Sequence, residues 1–171
     1  VTVAAPPLAT TGDTLFLTMT GFFTGTPADP SGWTQRYLGN SILTADYWSG
    51  VWEAPFGTSL SVSWTVPSGA NGMSVGLWAW RGGVFQSVTA NYDTASPNGQ
   101  ESHGTNVAGA DAVWFGQWGW MYPGTATVSD LEGWTERAAT QSSTIYGGTA
   151  EFVSAPAVPP AVSGPSWTYS N

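Results

Sequence analysis

Cysteine and lysine are both missing from this 171-residue chain, and charge of either sign is scarce. Without cysteine the fold uses neither a disulfide nor a thiolate metal site, and the redox state of its compartment leaves no trace in the sequence. Without lysine the basic side chains are Arg36, Arg81, Arg137 and the single His103, against 11 acids, for a net charge of −8. Phosphate binding needs clustered Lys and Arg, which argues against nucleic acid as a partner. The same balance argues against an anionic membrane surface. Charged residues make up 8% of the chain, where about a quarter is usual. No apolar run approaches the length of a membrane span, no basic-then-apolar segment of the secretory type opens the sequence, and no Asn-x-Ser/Thr acceptor occurs. Helical periodicity is missing too, since apolar residues nowhere recur at i, i+3, i+4 and i+7 over three turns. Essentially no α-helix is expected.

What is abundant is Gly (22), Pro (12) and Trp (11), with an ordinary 42% hydrophobic content. A disordered acidic chain would have few aromatics and many charges. This composition belongs instead to an all-β domain of many short strands and tight turns. The length fits one domain and suffices for a proper core.

One stretch comes back. Gly32-Trp33-Thr34-Gln35-Arg36 recurs as Gly133-Trp134-Thr135-Glu136-Arg137, and 134 minus 33 gives a spacing of 101 residues. Ala54-Pro55 recurs as Ala155-Pro156, again 101 apart, and Ser63-Trp64-Thr65 as Ser166-Trp167-Thr168, 103 apart. Upstream, Gly12 and Asp13 are matched by Gly109 and Asp111. Ordered landmarks at nearly constant offset indicate two copies of one β-rich unit, about 12–90 and 109–171. Arg36 and Arg137 occupy equivalent places in them. Each is expected to pair with a carboxylate or stack on an aromatic ring, with Asp13 and Asp111 as the candidate partners.

Residues 1–11 carry Pro6-Pro7 and no charge, and read as an extended arm with an edge strand at Val1–Ala4. Thr14 to Thr20 is β-branched and aromatic without a polar break, a central strand covered on both faces. Ile42 to Glu53 reads as a long strand with a bulge or bend at Gly50. Ser59 to Val66 alternates strictly, and Asn71-Gly72 then signals a tight turn before Met73 to Trp80, which together predict a β-hairpin. The polar stretch from Asp93 to Gly104 separates the halves. Ala112 to Trp120 reads as a strand whose glycines admit close approach, Gly147-Gly148 as punctuation between two short runs, and Ser166 to Ser170 as the last strand. The expectation is one two-sheet antiparallel β-sandwich of jelly-roll type over 12–171, with about 9–11 strands and quasi-repeated halves sharing a core.

Chemistry is hard to find. A Ser-His-Asp hydrolase needs a base, and His103 lies in Glu101-Ser102-His103-Gly104 with no G-x-S-x-G elbow anywhere. A zinc site wants several Cys or His ligands. The carboxylates Asp46, Glu53, Asp130, Glu132 and Glu136 are candidates for a glycosidase pair, but 11 acids in 171 residues place such neighbours by chance. The oxygen-rich loop with Asn91, Asp93, Asn98 and Glu101 lacks the spacing of a calcium loop. No catalytic residue, metal or cofactor is expected, and the chain reads as not an enzyme. The aromatics carry more weight. Trp78 and Trp80, like Trp114, Trp118 and Trp120, alternate along their strands, so each set shares a face. Three readings stay open for them: core, subunit interface, or a platform on which sugar rings stack.

An opening Gly-Asp before an apolar strand, a Pro/Gly loop into Gly-Trp-Thr, then Ala54-Pro55, the alternating Ser61 to Val66 and a strand ending Leu77-Trp78-Ala79-Trp80-Arg81-Gly82 form a familiar order. It resembles the repeated β-sandwich modules of structural proteins in tailed bacteriophages, especially those of actinobacterial hosts. The resemblance covers most of the chain, which departs from the pattern in its high Trp content. It implies a virion structural protein, a head-decoration or minor-tail component that contacts itself and other virion proteins as a symmetric oligomer. Those modules have no agreed catalytic residues, so none is carried over. The alternative is a secreted or surface carbohydrate-binding module that uses exposed Trp, with a host cell-surface glycan as partner.

Overall fold

A computed structural model describes residues 2–40, 47–57, 61–63, 65, 72–82 and 85, together with the backbone of the strands between 113 and 170. It divides into two compact units, Val1–Val88 and Thr89–Asn171. Among the described residues there are eleven strands and no helix, hence none long and apolar enough to cross a membrane. The chain is all-β over these residues, as its composition predicts.

The first unit contains β1 (Thr2–Ala4), β2 (Thr14–Phe22), β3 (Thr34–Asn40), β4 (Tyr47–Pro55), β5 (Ser61–Ser63) and β6 (Gly72–Trp80). Four of them form an antiparallel sheet in the order β3-β4-β2-β6, while β1 and β5 pair with each other. Two glycine turns launch its strands. Gly12 has φ +96°, and the Asp13 N–H donates to the Thr10 carbonyl at 3.0 Å. Gly32 has φ +82°, and the Trp33 N–H donates to the Pro30 carbonyl at 3.1 Å. A turn with its third residue in the left-handed region wants glycine there. The Gly-Asp and Gly-Trp landmarks of the sequence are therefore the turns that open β2 and β3.

β2 runs through the middle of the sheet, nine residues against β4 and nine against β6. Leu15 to Gly21 are all buried, as the unbroken apolar run predicts. One face of β2 meets the core, where Leu17, Met19, Phe23 and Trp52 are fully buried under Trp33, Leu38, Trp48, Met73, Val75 and Leu77. The other face holds Phe16, Thr18 and Thr20, also buried. Thr18 keeps its hydroxyl satisfied by donating to the Gly76 carbonyl at 3.3 Å.

Three expectations are corrected. Gly50 is no bulge, because β4 pairs with β2 through Gly50 without a break. The glycine is there because the Trp52 indole lies over it, and a Cβ on residue 50 would land inside the ring. The irregularity falls on the neighbouring strand, where Arg36 is skipped between Gln35 and Tyr37. Secondly, among the described residues β5 pairs with β1 and β6 with β2, and no β5–β6 hairpin is seen; most of the alternating run and the Asn71 turn lie outside the described residues. The β2 ladder engages β6 over its whole length. Thirdly, Gly147-Gly148 punctuates nothing.

That pair sits inside β10, in the second unit of β7 (Val113–Met121), β8 (Thr125–Val128), β9 (Thr135–Gln141), β10 (Ile145–Val153) and β11 (Trp167–Ser170). β10 is paired on both sides in the order β7-β10-β9, and both ladders run on through the glycines. β8 and β11 pair separately. This three-stranded sheet repeats β2-β4-β3 of the first unit. β2 and β7 are offset by 99 residues (14 to 113), β3 and β9 by 101 (34 to 135), and β4 and β10 by 98 (47 to 145). The register repeats as well. Thr34 faces Glu53 and Thr135 faces Glu151, and Arg137 is skipped between Glu136 and Ala138 as Arg36 is. The connection 142–144 is three residues shorter than 41–46, which accounts for the change from 101 to 98. Ala54-Pro55 ends β4, whereas Ala155-Pro156 lies beyond β10. That echo is thus out of structural step.

Candidate functional site

Asp13, Arg36, Glu53 and Arg81 of the first unit lie toward one end of its sheet, with the half-buried Trp78 and Trp80. Register sets this up. Trp78, Phe16, Glu53 and Thr34 form one row across β6, β2, β4 and β3, with Trp80, Thr14 and Pro55 two positions further along. Phe85 closes the row, its ring centroid 6.5 Å from that of Phe16. The bulge at Arg36 lets its guanidinium reach two partners. Nε donates to Glu53 Oε2 at 2.7 Å, and Cζ stands 5.2 Å from the Phe85 ring centroid. Arg36 therefore both pairs and stacks, but its carboxylate is Glu53 and not Asp13.

Asp13 is taken by Arg81. Trp80 faces Thr14, so the residue after Trp80 comes alongside the residue before Thr14. Arg81 Nε donates to Asp13 Oδ1 at 3.0 Å and Nη2 to the Thr10 hydroxyl at 2.9 Å. The Thr10 N–H donates to Asp13 Oδ2 at 2.8 Å. The hydrogen bond from Arg81, with that from the Thr10 backbone, holds the Asp13 carboxyl below its ordinary 3.8 against the opposing effect of desolvation. The same contact raises Arg81. A carboxylate with a depressed folded pKa adds stability above its unfolded pKa and loses it as pH falls through the folded value. Asp13→Asn is therefore expected to flatten the acid limb of the stability curve. Urea midpoints at neutral pH and near pH 3 should differ less in the variant than in the parent chain; an equal or larger difference would remove Asp13 as the cause.

The third carboxylate is Asp29, which accepts from the Trp52 Nε1–H at 2.7 Å. Asp13, Asp29 and Glu53 are thus each engaged by a side chain of the fold. Among the described residues no group of three or more His, Asp or Glu gathers to hold a metal. His103, Asp46, Asp130 and Glu132 lie outside the described residues, as do Asp111, Trp134 and the loop with Asn91, Asp93, Asn98 and Glu101. Glu136 pairs with Ala150 in the β9–β10 ladder.

The tryptophans divide. Trp52 is core, Trp33 and Trp48 pack against it, and Trp78 and Trp80 are half-buried, Trp78 in the row of Glu53 and Trp80 in that of Thr14. Trp114, Trp118 and Trp120 lie within β7. Among the described large hydrophobic side chains only Leu8 is exposed, at 87%. Sequence reasoning missed Asp29 and Phe85. Neither stands in a motif, and only the folded register brings them to Trp52 and Arg36. The partner of Asp13 was within reach, since the residue following an edge strand often meets the start of its neighbour. Comparison with protein-family models, with curated proteins and with solved structures finds no match.

Proposed function

We propose that this chain is a non-enzymatic structural protein of a bacteriophage virion, a head-decoration or minor-tail component that assembles through contacts with copies of itself and with other virion proteins. The observation that carries the non-enzymatic reading is the state of the three acids whose side chains are described: Asp13, Asp29 and Glu53 hold Arg81, Trp52 and Arg36 in place. Carboxylates spent on the fold are poor candidates for acid–base work, which needs groups free to reach a substrate. Scarce charge and abundant Trp suit a surface that meets other chains. The order of landmarks quoted above supplies the virion context. The finer fold proposed with it is a two-sheet sandwich of jelly-roll type. Burial of Phe16, Thr18 and Thr20 opposite the Trp52 core supports this, because a sheet buried on both faces needs a further layer.

One observation favours the carbohydrate-binding alternative: Trp78 and Trp80 are only half-buried and lie beside the polar pair Arg36 and Glu53. The two readings separate in a single experiment, solution mass by light scattering alongside a glycan panel. An oligomer that retains no glycan is expected. A monomer retained by a glycan, and released by Trp78→Ala or Trp80→Ala, would replace the virion reading with the glycan-binding one.

A further inference from the structure

β7 forms one edge of the sheet β7-β10-β9, and among the described residues nothing pairs with its outer side. Its counterpart β2 has both sides filled, by β4 and by β6. β6 covers β2 end to end, with Thr14 opposite Trp80, Thr18 opposite Gly76 and Phe22 opposite Gly72. Carried over to β7, the same pairing asks for an antiparallel strand of nine residues centred on Gln117. Natural edges are usually guarded by charge, proline or a bulge. β7 reads Val-Trp-Phe-Gly-Gln-Trp-Gly-Trp-Met, with no charge and no proline, and it meets β10 without a register shift.

We propose that the outer side of β7 pairs with β7 of a second copy, about a two-fold axis through Gln117. The end-to-end register then places Val113 opposite Met121, Trp114 opposite Trp120, Phe115 opposite Gly119 and Gly116 opposite Trp118. Both glycines fall opposite an aromatic residue, the pairing by which rings cover bare backbone in sheets. A slip of two residues either way sets Trp118 or Gly116 against its own copy and shortens the ladder. The strand is uncharged, so the net charge of −8 puts no like charges face to face along it. A second copy brings the whole pattern at once, and the contact is self-complementary as a two-fold interface requires. The inference rests on the assembly reading and names the contact through which assembly occurs.

The absence of cysteine makes the test clean. Opposite residues of an antiparallel pair have Cα atoms about 4.5–5.5 Å apart, within disulfide reach. Gln117→Cys is expected to give a disulfide dimer under mild oxidation, and Gln35→Cys, exposed on β3, is expected to give none. Gln117→Lys and Gln117→Glu should each weaken self-association by about fivefold or more, and mixing the two should restore it. Only a position that faces itself gives that rescue. An oligomer that persists in both charge variants, with no Gln117→Cys dimer, would overturn the β7 contact and leave the assembly reading standing. A wild-type chain that stays monomeric at every concentration would overturn both. If circular dichroism shows a charge variant has lost its strands, the cysteine variant decides.

Discussion

Trp52→Ala is expected to lower the stability of the first unit by about 3–5 kcal/mol, the usual range for a fully buried large aromatic. Trp52 is 0% exposed and stands at the centre of the core cluster with Leu17, Met19 and Phe23. In register it faces Leu17 on one side and Gln35 on the other, so the cavity would open between three strands. The ring also ties the loop before β3 to the sheet, because its Nε1–H donates to Asp29 at 2.7 Å. Trp52→Phe keeps an aromatic ring but loses that donor, and about 2 kcal/mol is expected. Domains are commonly stable by only about 5–15 kcal/mol. The alanine variant should therefore sit close to unfolding at moderate temperature. Urea denaturation followed by far-UV circular dichroism measures both. A loss under about 1 kcal/mol for Trp52→Ala would remove the ring from its central place in the core.

The second large effect is at Gly50. The Trp52 indole occupies the space where a Cβ of residue 50 would stand. Gly50→Ala must push the largest side chain of the core aside, at a cost of about 1–3 kcal/mol or more. Glycine's weak strand propensity would otherwise lead one to expect a gain from alanine in the middle of a strand. The sign of the effect is thus diagnostic. The cost should also vanish with its cause. In a Trp52→Ala background the new methyl group enters vacated space, so the double variant should be less destabilised than the sum of the singles by about 1 kcal/mol or more. Additive losses would place the Gly50 requirement elsewhere, in the backbone itself.

Much of the architecture was legible because it rests on local chemistry. The apolar run of β2, the glycine turns before Asp13 and Trp33, and the absence of helical periodicity each have one physical reading. Strand order and register also correspond between the two units. The shared feature is the bulge at Arg36 and Arg137, facing strands that carry Glu53 and Glu151 at matching positions. What stayed illegible depends on partners remote in sequence. The pairing of β6 with β2, fifty or more residues away, is one such case, because no local signal names a partner that remote. Gly50 looked like a bulge because a strand glycine has two common uses, and only the position of Trp52 decides between them. Trp78 and Trp80 were correctly placed on one face by alternation. Alternation does not say what lies over that face.

The proposed assembly brings the tryptophan-rich strand β7 against a second copy. The decisive experiment is acrylamide quenching of tryptophan fluorescence, read on dilution through the association range with the mass followed in parallel. If β7, which contains Trp114, Trp118 and Trp120, pairs with a second copy as proposed, the quenchable fraction rises as the oligomer dissociates. Quenching that stays constant while the mass falls would contradict it.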